Sequence, residues 1–529
     1  MKRPTLSAML LAAALPAFTG FAQEGDRVVR QVSAAGSAAD GLFVGDAKQL
    51  FIDDLFFDTR QGIALRVHPA RKTGERNLQR DRPWESATPN WFSVLQDGAT
   101  CRMWYECYDV EGWPTTDDTS FCYAQSEDGV HWDKPDLGLF SYQGSDSTNI
   151  LFRLIGPEGA HSRVHGACVF VDPSAPAGER YKAVSQGLFS EFTPPYRVAG
   201  MVSPDGLYWT RLAAPICETP ADSQYSSFWD PNLSKYVLYG RVGGRGRAIG
   251  RSESSDFAHF GPLELVMQTD DQDPPDSDLY NPAVVRYPYA ANVYLAFPSL
   301  YQHRSDTLDI RLAVSRDGVH WTWPERVPFI PVGTEGEFDS GSLYMGQGLV
   351  RQGDELWQYY GGSGLKHEES ELENLVKPDG ARVYSRVVSR LDGFVSADAG
   401  PEGGALTTVP LSFTGGHLEL NVQVRPGGEV RAGLVDGDGT ALPGLAPDDC
   451  DPITGDHVAR AVAWRGSPDL SALAGHAVRL QVRLRDASLY AFQFARRPQP
   501  ATEAPARASD RAHRGAPGSA RSCAACGSP

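Results

Sequence analysis

The sequence predicts an all-β protein: a five-bladed β-propeller followed by a small antiparallel β-sandwich. Three observations predict it. A unit recurs five times between about residues 84 and 400. A β-hairpin pattern stands ahead of each copy. Clean apolar alternation then continues from Leu406 to Phe494 without the repeat.

The repeat centres on a tight turn. Its good copies are Ser126-Glu-Asp-Gly-Val-His-Trp132, Ser203-Pro-Asp-Gly-Leu-Tyr-Trp209 and Ser315-Arg-Asp-Gly-Val-His-Trp321. The third copy, Ser252 to Asp256 followed by Phe257, and the fifth, Ser389-Arg-Leu-Asp-Gly-Phe394, are degenerate. Asp-Gly between strands marks a tight turn, because Gly takes positive φ cheaply and Asp caps the turn. Each turn follows an alternating strand such as Phe121 to Gln125 or Ile310 to Val314. Ahead of these lie hairpins such as Trp91–Leu95 with Arg102–Glu106, and Gly346–Val350 with Glu355–Tyr360. Strand, turn, strand, loop, strand, Asp-Gly turn, strand makes four antiparallel strands, which is a propeller blade. The segment Gln49 to Phe57 is expected to close the last blade.

The whole chain sets the bounds. Its 529 residues suit two or three domains. A hydrophobic fraction of 41% with 22% charged residues is globular, and 54 Gly with 38 Pro suit a turn-rich β protein. A formal net charge of -17 argues against a nucleic-acid partner, which needs clustered Lys and Arg. Lys2 and Arg3, the apolar Leu6 to Leu15, and Gly20-Phe-Ala22 read as a signal peptide spanning 1–22. No later stretch has the roughly 18 apolar residues of a membrane span, so a secreted or periplasmic protein is expected. The expected organisation is a linker over 23–45, the propeller over 46–400, the sandwich over 405–496 and a disordered Ala/Pro/Arg/Ser tail over 497–529.

Cys107 and Cys122 lie on neighbouring strands. A bridge between them and a pair of buried thiols both stand open. Cys523 and Cys526 lack a second pair at metal spacing, and Asp436-Gly-Asp-Gly439 lacks the later Glu of a calcium loop and reads as a hairpin turn. No metal or cofactor is implied.

In a propeller, groups just before or early in the innermost strands converge at one mouth of the channel. Such groups here are Asp81 to Glu85; His161, Arg163 and His165; Asp222, Tyr225 and Asp230; Asp270 to Asp278 with Tyr280 and Asn281; and Glu335 to Gly341. Convergent carboxylates suit glycoside hydrolysis, in which one acid protonates the leaving oxygen and another carboxylate activates water or attacks. Glu85, Asp278, Glu337 and Asp339 are the candidate acid and base groups. Trp84, His165, Tyr225, Tyr280, Asn281, Tyr301 and His367 are the candidate substrate-binding groups, with Trp91 as a further stacking face. Asp128, Asp205 and Asp317 recur in every good copy and read as turn formers. The other acidic residues of 270 to 276 read as a solvated loop. A carbohydrate is the expected partner, bound for hydrolysis or held without cleavage.

On Leu50-Phe-Ile-Asp-Asp54, Asp81-Arg-Pro-Trp-Glu85 and the Ser-x-Asp-Gly-x-x-Trp turns, residues 46 to 400 resemble the five-bladed propeller superfamily of glycoside hydrolases that includes families 32, 43, 62, 68 and 130. The resemblance is to exported family 32-like and family 43-like proteins. It implies an Asp base or nucleophile in an early blade and a Glu acid in a later one. The Trp-Met-Asn-Asp-Pro-Asn and Arg-Asp-Pro elements of family 32 are missing here, so linkage specificity is not implied.

Overall fold

The computed structural model describes residues 41–113, 119–153, 164–220 and 222–496. The expected signal peptide, residues 23–40 of the linker, His161, Arg163 and the 497–529 tail with its two cysteines lie outside the described residues.

The protein is all-β, and four separate four-stranded antiparallel sheets stand in a propeller-like ring. The first runs Thr88–Asp97, Thr100–Tyr108, Ser120–Ser126 and Ile150–Arg153. The second runs His165–Val171, Tyr181–Leu188, Tyr196–Ser203 and Thr210–Arg211. The third runs Ser226–Asp230, Lys235–Gly244, Gly246–Ser254 and Glu264–Met267. The fourth runs Val284–Arg286, Tyr294–Ala296, Ala313–Ser315 and Trp321–Thr322.

The fifth repeat does not form a sheet of its own. Its strands Ser342–Met345, Glu355–Ser363 and Val383–Arg390 belong to an eight-stranded sheet. That sheet also takes Ser277–Leu279, Ser299–Gln302 and Thr307–Ile310 from the fourth repeat. The physical reason lies at Phe297-Pro298. Proline has no N–H for the ladder, so the fourth repeat's second strand stops at Ala296 and a new pairing begins at Ser299. Thr307–Ile310 then meets Ser342–Met345 side by side at Leu308 and Ser342.

The turns behave as capping motifs. In the first copy the Gly129 N–H donates to Ser126 Oγ at 2.8 Å, and the Val130 and His131 N–H groups both donate to Asp128 Oδ1 at 2.8 Å. The second and fourth copies repeat this around Asp205 and Asp317. The third keeps it around Ser254 and Asp256, with Phe257 in the place of the glycine at φ 66°.

The glycine carbonyls then join neighbouring sheets. Trp104 Nε1 donates to Gly206 O at 2.6 Å, and Tyr239 OH to Gly318 O at 2.7 Å. Tyr359 OH, from the eight-stranded sheet, donates to Gly129 O at 2.5 Å. A side chain at these glycines would collide. A Cβ at Gly206 would lie 2.7 Å from Trp104, and one at Gly129 3.0 Å from Trp357 and Tyr359. Nearer the axis, Ser93 Oγ accepts the Val169 N–H at 3.0 Å and Ser226 Oγ accepts the Val284 N–H at 2.9 Å. Gln347 N donates to Phe92 O at 3.0 Å, bringing the eight-stranded sheet against the first blade.

Two N-terminal segments correct an expectation. The closing partner of Val383–Arg390 is Arg71–Lys72, not the segment Gln49 to Phe57. Gln49–Leu50 instead pairs with Val478–Ala495 in a ten-stranded sheet built mainly from the C-terminal region. The apolar face of Phe51 and Phe56 draws this segment there, because both sit fully buried against Phe492. The turn at Asp436 is self-capped, with the Asp438 and Thr440 N–H groups donating to its Oδ1 at 3.1 and 2.7 Å. The fifth repeat's Asp392 is buried at the junction. It accepts from Lys48 Nζ at 2.7 Å, Tyr287 OH at 2.6 Å and Asn421 Nδ2 at 3.0 Å. One carboxylate therefore ties the ring to the ten-stranded sheet. Cys107 and Cys122 are free buried thiols with their Sγ atoms 3.4 Å apart.

Gly129 and Gly98 both sit at positive φ, but a Cβ at Gly98 meets nothing within 4 Å. Gly98→Ala should show the backbone cost alone, about 1–2 kcal/mol. Gly129→Ala should lose at least about 1 kcal/mol more through crowding of the Trp357–Tyr359 contact. Urea unfolding of the two variants measures the difference, and equal losses would contradict the inter-sheet role.

Candidate functional site

Strands and connecting segments of different sheets bring polar and aromatic side chains to one mouth of the ring. On the first blade, Glu106 is fully buried. Asn90 donates to its Oε1 and the Gly166 N–H donates to its Oε2 at 2.8 Å. His165 on the second blade bridges two carboxylates. Its Nδ1 is 3.2 Å from Glu106 Oε1 and its Nε2 3.1 Å from Asp222 Oδ1. Asp222 in turn accepts from Arg241 Nη1 at 3.2 Å.

Arg241 reaches the fourth repeat. Its Nη2 donates to Tyr280 O at 3.1 Å, and the guanidinium lies over the Tyr280 ring at 4.4 Å. Arg247 lies 5.1 Å from the same ring and 5.4 Å from that of Tyr301. Its Nη1 donates to Asp278 Oδ2 at 3.1 Å, and His303 Nε2 stands 3.1 Å from that oxygen. Asp278 Oδ1 has no partner although it is buried. Asp278 pairs across the strand with Tyr301, which places both beside the same mouth. The close approach of Asp278 requires glycine at Gly246, where φ is +73° and a Cβ would stand 2.8 Å from the carboxylate.

The aromatic ring of the mouth continues into the eight-stranded sheet. Tyr280 is 5.4 Å from Tyr344 and 4.9 Å from His367, and its ring stacks toward Trp91 at 6.3 Å. Tyr344 OH stands 3.2 Å from His367 Nδ1. Arg382 lies over Tyr344 at 4.2 Å and donates to Asn90 Oδ1, which returns the circuit to Glu106. Burial, and then the Arg247 charge, push the His367 imidazole down to about 4. It is therefore neutral near pH 7, able to accept or donate a single hydrogen bond.

Two cavities flank this mouth and share Gly246. One of about 420 Å³ is lined by Gln186, Tyr196, Asp222, Arg241 and Arg247. The other, of about 750 Å³, is lined by Asp278, His303 and the loop Asp270 to Ser277. That loop is largely exposed, as expected of a solvated loop, and carries ion pairs. Asp270 and Asp273 grip Arg326 at 2.5 and 2.6 Å, and Asp271 pairs with Arg245 at 2.5 Å. Among the described residues no three His, Cys, Asp or Glu side chains are grouped to hold a metal ion.

Asp278, Tyr280, Tyr301, His165 and His367 thus come together. Asn281 lies buried directly beneath, its Oδ1 accepting the Ser299 N–H at 3.3 Å. The other expected site residues stand elsewhere. Glu85 is fully buried as the cap of its own short helix. It accepts from the Asp81 N–H at 3.0 Å, Tyr105 OH at 2.6 Å and Lys134 Nζ at 2.7 Å. Trp84 is buried beside it and donates to Asn149 Oδ1 at 2.9 Å. Asp339 is buried in an ion pair with Lys72 at 2.7 Å and accepts from Tyr360 OH at 2.6 Å. Glu337 is exposed and caps its own loop through the Thr334 N–H at 2.6 Å. Tyr225 is wholly buried in the core between the second and third blades. Among the described residues, Glu85, Glu337 and Asp339 share no hydrogen bond or ion pair with the mouth. Sequence reasoning missed Glu106, Arg241, Arg247 and Arg382. The legible signal was an acidic residue at an inward position of the apolar strand Met103-Trp-Tyr-Glu-Cys-Tyr108.

No protein-family model matches the chain. Two uncharacterized proteins of Mycobacterium tuberculosis, one from strain CDC 1551 / Oshkosh and one from strain H37Rv, are 32% identical to it over 146 residues. Each match covers 27% of this chain and 39% of the relative. The chain therefore spans well under half the length of the curated relatives it matches. Among solved structures it is similar to a glycoside hydrolase at 13% identity and a TM-score of 0.43, covering 62% of this chain and 92% of the other. A glycosyl hydrolase from Bacteroides ovatus matches at 14% identity and a TM-score of 0.39, over 66% and 97% of the two chains. An N-acetylgalactosamine deacetylase from F. plautii, in complex with blood group B trisaccharide, matches at 16% and 0.40, over 62% and 96%.

Two outcomes follow from the geometry. Glu85→Gln should lower stability on the order of 3 kcal/mol, the usual loss on breaking a buried pair. Substrate affinity per folded molecule should stay unchanged; a folded, equally stable variant with lost affinity would contradict the capping role. His367 should titrate by NMR with a midpoint near 4. An unfolded imidazole gains its proton near 6.5, so the unfolded chain binds more protons between about pH 6.5 and 4. Stability should therefore fall as pH drops through that window, and less steeply in His367→Gln.

Proposed function

We propose that this chain is an exported carbohydrate-active propeller, a glycoside hydrolase whose sugar site is the mouth formed by Glu106, His165, Asp278, Tyr280, Tyr301 and His367. In this reading the eight-stranded sheet supplies a fifth blade, with Ser342–Met345 innermost and Arg71–Lys72 outermost. The ten-stranded sheet folds over its own core as the accessory sandwich, joined by the segment 42–67. Residues 1–22 direct export.

The observation that carries the proposal is the meeting of carboxylates and aromatic faces from separate sheets at one opening. A sugar ring needs a flat apolar face and hydrogen-bonding rims, and Tyr280 offers the half-buried face. Asp278 Oδ1 is held in place through its sister oxygen and has an unused acceptor site. It suits a base that takes a proton from water or a sugar hydroxyl. Glu106 is the second carboxylate, and His165 links it to Asp222 as a path for the proton. Glu85, Glu337 and Asp339 act as scaffold.

One observation favours a second reading, a propeller that binds carbohydrate without cleaving it. Every carboxylate at the mouth already accepts from a partner: Glu106 from Gly166, Asp278 from Arg247, Asp222 from Arg241. Asp278→Asn and Glu106→Gln separate the two. On a panel of plant and algal oligosaccharides, hydrolysis predicts new reducing ends from the wild type and at least a 100-fold loss of turnover in Asp278→Asn, with binding retained. Binding by the wild type without any new reducing ends supports the second reading. Full turnover in both variants overturns the site.

A further inference from the structure

Among the described residues, two of the three guanidiniums at the mouth face a carboxylate and the third does not. Arg241 faces Asp222, Arg247 faces Asp278, and Glu106 faces His165. Arg382 has no carboxylate among the described residues. Its Nη1 donates only to the neutral Asn90 amide, and its buried Nε has no acceptor. The guanidinium is instead held between two rings, 4.2 Å from Tyr344 and 5.6 Å from Trp91. Trp91 Nε1, on the same wall, is a second buried donor without an acceptor. A half-buried, unpaired guanidinium is costly, and buried charges are ordinarily paired. In a chain of net charge -17, carboxylates are abundant, so the missing partner is a feature of this position. Asp278 Oδ1 is likewise a buried acceptor without a donor.

The mouth therefore lacks an anionic acceptor at Arg382 and a hydroxyl donor at Asp278, and the Tyr280 ring stands 5.4 Å from Tyr344, on which Arg382 lies, and 5.1 Å from Arg247, which holds Asp278. We propose that the site is built for an acidic sugar, a uronic acid residue whose carboxylate pairs with Arg382 and whose hydroxyl donates to Asp278. The inference rests on the carbohydrate reading and narrows its substrate class. A planar carboxylate suits a guanidinium fork, which binds it through two parallel N–H donors. The neutral His367 imidazole, against Tyr280 and Tyr344, can serve a further hydroxyl.

The test compares charge at constant sugar shape. Trisaccharides of glucuronate, galacturonate and mannuronate are titrated calorimetrically into the full chain beside their methyl esters, their neutral hexose counterparts and inorganic phosphate. At least one acid should bind ten-fold or more tightly than its ester. Arg382→Met keeps the side-chain stem that packs against Gly361 and should erase that difference. Arg382→Lys should keep most of it. Equal binding of every acid and its ester overturns the proposal, as does an Arg382→Met variant that weakens acid and ester alike. Arg382-dependent binding of phosphate with no uronate binding overturns it too. If neutral sugars bind with no gain for the acids, the carbohydrate reading survives and the uronate assignment falls; if no sugar binds, both fall.

Discussion

The fold depends on a turn whose glycine must stay bare. Ser and Asp cap three N–H groups of the turn, and this frees the glycine carbonyl to face the neighbouring sheet. There an aromatic donor takes it up, as Trp104 does with Gly206, Tyr239 with Gly318 and Tyr359 with Gly129. A Cβ would push the sheets apart at each contact. In three of the four capped copies the turn's two demands, positive φ and close approach, therefore select glycine, while the third copy meets the first demand with Phe257. The last of the three contacts joins the fifth repeat to the first. With the Gln347–Phe92 bond near the axis it sets the first blade and the eight-stranded sheet side by side. The mouth exists only because those two sheets meet, since Arg382 comes from one and Asn90 from the other.

The mouth that results is crowded with ions yet nearly balanced. Its guanidiniums lie over tyrosine rings, a placement that holds them without consuming all their donors. Glu106 and Asp222 are held through both oxygens, whereas Asp278 is held through Oδ2 alone, which leaves its Oδ1 open. The neutral His367 imidazole keeps a further cation from adding to Arg241, Arg247 and Arg382 at neutral pH.

The turn repeat was legible because it is local. Ser126, Asp128 and Gly129 interact within four residues, and their spacing alone carries the motif. Where local chemistry was interrupted, the reading failed. Pro298 ends a pairing that the alternation of Val293 to Phe297 suggests should continue, so five repeats give four separate sheets and one shared one. Gln49 to Phe57 looks like a closing strand, but its rings find more apolar surface at Phe492 than a blade edge offers. At the site, Asp278, Tyr280 and His165 were legible because they precede or begin strands. Glu85 looked the same and is a cap, since only the fold reveals that Tyr105 and Lys134 close over it. Arg382 was invisible because its partner Asn90 lies 292 residues away, and Glu106 left only the trace of an acidic residue in an apolar strand because its partner Gly166 lies on another blade.

The most direct test of the mouth as the sugar site is a crystal structure of the full chain with a bound oligosaccharide. The account predicts a sugar ring against Tyr280, within hydrogen-bond distance of Asp278 Oδ1 and of Arg382. A sugar seated instead at Glu85 or Asp339, or on the ten-stranded sheet with the mouth empty, would contradict it.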